Sequence, residues 1–463
     1  ESRGLGDVYK RQGNIFTTHT PVRSAFDVYP AETVARYLDG YARALGLSVP
    51  ELVRLGADPA EAGAFNMGCL ALRTCARANG VSRLHGRVTR RLFGRLYPRW
   101  PEGEVPISHV TNGVHVPSWD SPWSHELWRR AYSSPYGRNP DGEVRFALEG
   151  VSDEALWEAR GRERADLVGY VRRRLARQLA RRGLESAVMR PSIDSLDPNA
   201  LTLGFARRFT AYKRPNLLLS DPDRLARLLG LPGRPIQLII AGKAHPDDEE
   251  GKRLIREWIE FSARDDVAGR VVFLEDYDIV LAQELAQGVD LWINTPRQTW
   301  EACGTSGMKV LVNGGLNLST RDGWWAEAYE PELGWAIGAE PQVGVGWSDD
   351  VESRELYEIL ENDVVEEFHA RDERGIPAAW VRRIRRSMTD LVVPFSAHRM
   401  VREYAEGQYR PALQDHRDRA VPGASARLAS WARELSMHFD NIHWGNLSVH
   451  RDGGLMRFDV PCY

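Results

Sequence analysis

Lys309 stands four residues after Thr305, about one helical turn on, in the stretch Trp300-Glu301-Ala302-Cys303-Gly304-Thr305-Ser306-Gly307-Met308-Lys309. A largely apolar run, Val289 to Ile293, precedes it and reads as a buried strand; Val310-Leu311-Val312 comes after it. A turn of small residues between strand and helix leaves backbone N–H groups pointing outward at the helix start, a geometry that suits an anion, most often phosphate. A lysine one turn later reaches back over that anion, and Glu301 stands on the approach. A second stretch, Phe205-Ala206-Arg207-Arg208-Phe209-Thr210-Ala211-Tyr212-Lys213-Arg214, places four cations within eight residues. Planar guanidinium forks suit tetrahedral oxyanions. Taken singly, these read as a Gly-rich turn with a solvated lysine and a salt-laced surface turn. Together they indicate a sugar or cofactor phosphate site.

The elements that must hold these groups form an alternating series. Leu201 to Ala206, Ile236 to Ala241, Val271 to Glu275 and Leu291 to Asn294 are short apolar runs. Helical stretches separate them: Arg214 to Ser220 with Asp223 to Leu229, Asp247 to Ala263, and Ile279 to Gln287. The pattern predicts a parallel sheet with crossover helices. Ligands of such sheets bind at the carboxyl ends of the strands. Arg207-Arg208, Gly242-Lys243, Glu275-Asp276-Tyr277 and Glu301 to Lys309 all fall there.

Elsewhere, Ala31 to Leu45 and Asp58 to Ala78 carry helical periodicity, and Asn79-Gly80 breaks the second run. Val110 to Trp119 reads as strand, turn and helix entry, and Ser121 to Gly150 as loop-rich. Ser152 to Arg182 reads as one long helix with Ser152 as its cap and Gly183 after its end. Later helices are predicted at Asp350 to Glu367, Ala378 to Asp390, Ser396 to Tyr409 and Ala424 to Met437, and strands from His443 onward.

The 463 residues suit two or three domains. A net charge of −3 gives no indication of a nucleic-acid or membrane-surface partner. Apolar runs fall short of a membrane span. Cys69, Cys75, Cys303 and Cys462 show no C-x-x-C spacing, which fits a reduced, cytoplasmic protein without zinc. Residues 1–12 do not match the character of the remaining chain and read as a non-native scar.

Glu301 to Lys309, followed by Asn313-Gly314, resembles the pyridoxal-phosphate lysine motif of the α-glucan (glycogen, maltodextrin) phosphorylases, in the bacterial branch ending Ser-Gly-Met-Lys. The resemblance spans about residues 14 to 460. It implies an α/β fold of the two-domain glycosyltransferase-B type with Rossmann-like domains. Residues 13–150 would be part of an incomplete N-terminal domain, 151–395 the C-terminal Rossmann-like domain, and 396–463 helices packing back across the boundary plus the start of a β-rich tail. The implied activity is that of a hexosyltransferase. It would phosphorolyse α-1,4-glucan with inorganic phosphate to glucose 1-phosphate, with retention and with pyridoxal 5′-phosphate as cofactor.

By position the resemblance assigns Lys309 the Schiff base, Arg207 the cofactor phosphate, and Arg208 and Lys213 the substrate phosphate. Thr305, Ser306, Gly307, Tyr277 and Trp119 would complete the cofactor pocket. Tyr212, Glu301, Ala302, Cys303, Gly304, Asn112 and His19 would face the sugar. Two positions depart from animal-type members: Ala76 replaces a sugar-contacting histidine, and Asp278 replaces an arginine after the cofactor tyrosine. The family chain extends further at both ends, so the resemblance also implies a fragment inactive alone. Sugar-nucleotide-dependent glucan synthases share the architecture but carry Glu-x7-Glu where this chain has Glu301-x7-Lys309. A non-catalytic glucan-binding remnant is the other alternative.

Overall fold

The computed structural model describes residues 13–131, 148–183, 195–341, 348–438, 441 and 443–462. The stretch 1–12 read as a scar, and 132–147 of the stretch read as loop-rich, lie outside them. The described residues divide into two compact units, one within 17–25 and 79–404, the other within 13–16, 26–78 and 405–462.

The larger unit is built on a six-stranded sheet: β1 (Leu201–Arg208), β2 (Ile236–Lys243), β3 (Val271–Leu274), β4 (Leu291–Asn294), β5 (Leu316–Thr320) and β6 (Trp335–Ile337). Their spatial order is β6-β5-β4-β1-β2-β3, and each pairing is parallel. Helices cover both faces, so β1 to β4 are near-continuous apolar runs. The order reverses between β1 and β4. That is the switch point of a doubly wound sheet, where the crevice at the strand ends takes ligands.

The covering helices include α1 (Asp153–Arg181), α2 (Pro222–Leu229), α3 (Glu249–Ser262), α4 (Ile279–Gly288) and α5 (Ser306–Leu311). Ser152 caps α1 by accepting from the Ala155 N–H at 3.2 Å, and Gly183 follows at φ 74°. The Arg-rich second half of α1 docks Arg174 onto the Glu275 and Asp276 carbonyls at 2.9 and 2.7 Å. In its first half, buried Arg164 donates to Asp290 Oδ1 at 2.6 Å, and Asp290 Oδ2 accepts from the Thr202 N–H at 2.9 Å. Buried Arg160 bridges Glu163, the Val289 carbonyl and the Asn313 carbonyl at 2.5, 2.7 and 2.8 Å. Each buried charge is thus matched, which is the condition for tolerating it. Gly204 lets Val289 close on β1: a Cβ there would stand 2.6 Å from Val289 Cγ1.

Several local expectations need correction. Asp58 to Ala78 is not one helix. Glu61–Asn66 pairs antiparallel with Val28–Pro30 and Ala57–Asp58, and only Met67–Thr74 is helical. Gly63 at φ 78° and the Asn66 side chain, which accepts from the Gly68 and Cys69 N–H groups, place the helix start there. Pro122–Ala131, within the stretch read as loop-rich, is a helix, with Pro122 in its first turn and Ser121 Oγ accepting from the Ser124 N–H. Strands β5 and β6 were not anticipated: Asn317 and Ser319 interrupt the apolar run of β5, yet both are buried. Asp349–Ile359 continues through a π turn, Leu360–Val364, into Val365–His369.

The smaller unit carries the three-stranded antiparallel sheet just described, helices Ala31–Leu45 and Val49–Gly56, and later helices Arg410–Ala420 and Ala424–His438. It ends in a hairpin, Ser448–Asp452 with Leu455–Asp459. Among the described residues, no helix is long and apolar enough to cross a membrane, and no disulfide joins the four cysteines.

Candidate functional site

Strand β1 delivers Arg207 and Arg208 at its end, and the 3-10 turn Ala211–Lys213 brings Lys213 back beside them. Strand β4 leads through residues 295–305 into α5. The two strand ends flank the switch point, and there the cations meet the carboxylate. Glu301 Oε2 accepts from Arg207 Nη2 at 3.0 Å and from Lys213 Nζ at 2.7 Å. The three side chains are 16, 8 and 14% exposed. Burial pushes the Glu301 carboxyl up, but Arg207 and Lys213 outweigh it and hold it below its usual range. Burial, together with Arg207, lowers the Lys213 amine to about 8, although Glu301 acts to raise it. Arg208 is exposed and adds its field to Lys213. The cluster therefore carries three positive charges against one negative. Such a surplus, two of its cations buried, favours the binding of an anion.

Two nitrogens of buried Arg207, Nε and Nη1, have no hydrogen-bond partner among the described residues. They are N–H donors awaiting an acceptor. Arg207 is also felt by the phenol of Tyr277, which burial raises and Arg207 lowers.

Lys309 lies on α5, half-buried, with its Nζ 3.8 Å from the ring centroid of Trp119. Among the described residues no carboxylate pairs with it, and burial alone lowers its amine. A lysine so placed is neutral more of the time and hence more nucleophilic. Asn313 fixes both partners: its Nδ2 donates to the Trp119 carbonyl at 2.9 Å and to the Lys309 carbonyl at 3.1 Å, while its Oδ1 accepts from the Ser121 N–H at 2.7 Å. Gly307, at the start of α5, packs on Asn317, and a Cβ would collide with Asn317 Oδ1. Thr305 is the N-cap residue of α5, and Ser306 Oγ accepts from Trp292 Nε1 at 3.1 Å. An amine without an acid partner and a buried guanidinium with two nitrogens unpartnered, both among the described residues, fit a group that carries both an aldehyde and a phosphate.

Ala302 and Cys303 are buried. The Ala302 carbonyl accepts from Ser82 Oγ at 2.6 Å, the Cys303 carbonyl from the Trp324 N–H at 2.9 Å. Burial raises the Cys303 thiol, opposed by the backbone N–H of Asn112, which places Asn112 beside the loop. Gly304 takes φ 78° over Glu301, where a side chain would be strained. Tyr212 faces Glu301, Arg207 and Arg208; burial raises its phenol to about 12. His19 is exposed and neighbours His85; no contact among the described residues joins it to the cations or to Glu301. Asp278, where an arginine was expected, caps α4 by accepting from the Leu281 N–H at 2.8 Å.

Sequence reasoning missed Asp322. It is buried, and its carboxylate accepts from the backbone N–H groups of Trp300, Glu301 and Gly323 at 3.1, 2.8 and 2.8 Å. It clamps the loop that carries Glu301. Burial lifts its carboxyl to about 7 against those donors. Asp322-Gly323 gave only an ordinary turn signal.

The carbohydrate phosphorylase family profile matches residues 165–352. Glycogen phosphorylase of Mycobacterium tuberculosis is 46% identical over 443 residues, 93% of this chain and 51% of that protein. Glycogen phosphorylase of Aquifex aeolicus is 35% identical over 88% of this chain and 58% of its own length. Maltodextrin phosphorylase of Thermococcus litoralis is 35% identical over 96% of this chain and 52% of its own length. The chain thus spans about half the length of these relatives. By this sequence likeness the chain is similar to glycogen and maltodextrin phosphorylases over most of its length, and its residues 165–352, in an α/β fold with a parallel sheet, match the carbohydrate phosphorylase family.

Proposed function

We propose that the protein phosphorolyses α-1,4-glucan to glucose 1-phosphate with retention, using pyridoxal 5′-phosphate held covalently at Lys309. The observation that carries the reading is the cationic surplus around Glu301, at the switch point, with Lys309, which has no acid partner among the described residues, on the following helix. The names of the relatives support the substrate class.

In this reading Arg208 and Lys213 would bind inorganic phosphate, and Arg207, two of whose nitrogens lack a partner among the described residues, would hold the cofactor phosphate. Thr305, Ser306 and Gly307, Tyr277 and Trp119 surround the cofactor. The bound group supplies a second phosphate able to exchange a proton with the substrate phosphate. Two phosphates about 5 Å apart repel by roughly 3 kcal/mol per pair of unit charges at an effective dielectric near 20, so several cations are required. Tyr212, Asn112, Glu301 and the loop Ala302-Cys303-Gly304 orient the sugar, so that phosphate meets the anomeric carbon on the face the glucan oxygen leaves. A carboxylate pair of the glycosidase kind is not needed. His19 would approach the sugar from residues 17–25. We retain 13–150, 151–395 and 396–463 as the domain reading, and a cytoplasmic setting.

The activity is proposed for a protein of the relatives' length, and the 463-residue chain alone should show none. The test is glucose 1-phosphate release from maltodextrin plus phosphate, by this chain and by one extended to that length. Release by the longer protein alone, dependent on pyridoxal phosphate, is the expected result. Release that needs a sugar nucleotide, or none from either, would refute the reading.

A further inference from the structure

Trp300 adjoins Glu301, yet 44% of it is exposed. It is held outward. Thr299 before it takes φ 72°, a conformation disfavoured for a β-branched residue and one that persists only when its surroundings impose it. Here they do. The Trp300 N–H donates to the Arg297 carbonyl at 3.0 Å and to Asp322 Oδ2 at 3.1 Å. Arg297 is itself fixed, its N–H on the Tyr212 carbonyl at 2.7 Å and its guanidinium on both oxygens of Asp349 at 3.0 and 2.8 Å.

The result is an aromatic pair. The rings of Trp300 and Tyr212 lie with centroids 6.1 Å apart at 32°, and the Lys213 ammonium stands 4.9 Å from the Tyr212 ring. A backbone strained to expose an indole beside a polar cluster matches a ligand with both an apolar face and many hydroxyls. A pyranose ring is such a ligand: its axial C–H groups stack on an indole, while its equatorial hydroxyls reach polar neighbours.

We propose that Trp300, backed by Tyr212, is a sugar-stacking platform. It receives a glucose unit of the α-glucan adjoining the unit that Glu301 and the cations handle, and it makes binding depend on chain length. The proposal rests on the phosphorylase reading for the identity of the sugar. Its geometric basis, an exposed indole on a pinned backbone and beside Tyr212, is independent of Lys309.

The test is titration calorimetry of the 463-residue chain with glucose, maltotriose and maltoheptaose, comparing wild type with W300A, W300F and W100A. Trp100 is 54% exposed elsewhere on the same unit and serves as the control. W300A should bind maltoheptaose about tenfold more weakly and W300F within about threefold of wild type, as loss and retention of a stacking face require. Glucose binding should move by less than about twofold, since one unit does not span the platform. The W100A chain should match wild type. Any of three results would overturn the proposal: W300A binding maltoheptaose as wild type does, W300F falling as far as W300A, or a wild-type chain that gains nothing from glucose to maltoheptaose. The same chains are treated with pyridoxal phosphate and borohydride. Failure to label Lys309 would defeat the phosphorylase reading without touching the calorimetric result, so the two failures are told apart.

Discussion

Replacing Glu301 by glutamine removes the carboxylate that Arg207 and Lys213 share. The freed cations should then bind inorganic phosphate more tightly. Glu301 Oε2 lies 3.0 Å from Arg207 Nη2 and 2.7 Å from Lys213 Nζ, so a phosphate on the same cations must stand close to it. At about 4–5 Å and an effective dielectric near 20, one pair of unit charges repels by about 3–4 kcal/mol. Glu301 is 16% exposed, and its side chain can turn toward water when phosphate arrives. Solvent screening and that rotation leave about 1–2 kcal/mol, or roughly 5–30-fold in affinity. Glu301 also acts to raise the Lys213 amine, which stands near 8 with the carboxylate present. E301Q lowers that amine further, so the two proteins should be compared over a pH series, the gain being expected where Lys213 is protonated in both. Calorimetric titration of phosphate into the 463-residue chain at low salt supplies the number. Equal or weaker binding by E301Q would refute the competition, showing that the carboxylate does not contend with an anion for these cations.

R208A and K213A should each weaken phosphate binding by about 1.5–3 kcal/mol, the worth of a charge-assisted contact, while Lys309 labelling stays normal; unchanged titrations would remove the residue from the phosphate site. The Lys213-dependent part of phosphate affinity should hold below pH 8 and fall above it, by at most about tenfold per unit, because Lys213 binds the anion only while protonated. In K213A that fall should vanish, and its persistence there would assign it to another group. D322N should destabilise the larger unit by about 1–3 kcal/mol in chemical denaturation, because an amide that meets the N–H groups of Trp300, Glu301 and Gly323 leaves a donor unmatched. Wild-type stability should carry a decrease as pH rises from about 4 to 7. Over that window folded Asp322, lifted to about 7, keeps a proton that the unfolded chain has released. D322N should lack that component, and an identical pH slope in both proteins would contradict it.

The sheet was legible where strands are buried on both faces. Leu201, Ile236, Val271 and Leu291 each open a run with too few polar positions for an amphipathic helix. It was not legible at Leu316–Thr320, where Asn317 and Ser319 look like surface residues; Asn317 is buried because it bonds the Gly307 carbonyl at 3.2 Å. Asp58 to Asn66 misled through Ala and Glu in a helical rhythm, while the Pro59-Ala60 turn and the pairing with Val28–Pro30 decided its state. At the site, residue types at strand ends directed attention to Arg207, Lys213, Glu301 and Lys309. The sequence could not show that Glu301 bridges two of those cations, that Asn313 joins Trp119 to the Lys309 helix, or that Asp322 holds the Glu301 loop. Those links join positions 20 to 200 residues apart and exist only once the sheet has formed. Asp278 shows the converse: the sequence revealed the loss of an expected cation, and the fold revealed the helix cap that stands there.

The central claim is that Lys309 is the residue prepared for pyridoxal phosphate. Its amine is half-buried, without an acid partner among the described residues, against Trp119 and on the helix after the Glu301 loop. The most direct measurement is to incubate the folded 463-residue chain with pyridoxal phosphate at pH 7, reduce with borohydride and map the labelled peptides by mass spectrometry. The expected result is stoichiometric label on Lys309, its loss in K309A, and marked weakening when Arg207 is replaced by alanine. Label spread over Lys213, Lys243 and Lys252 with Lys309 spared would contradict the claim.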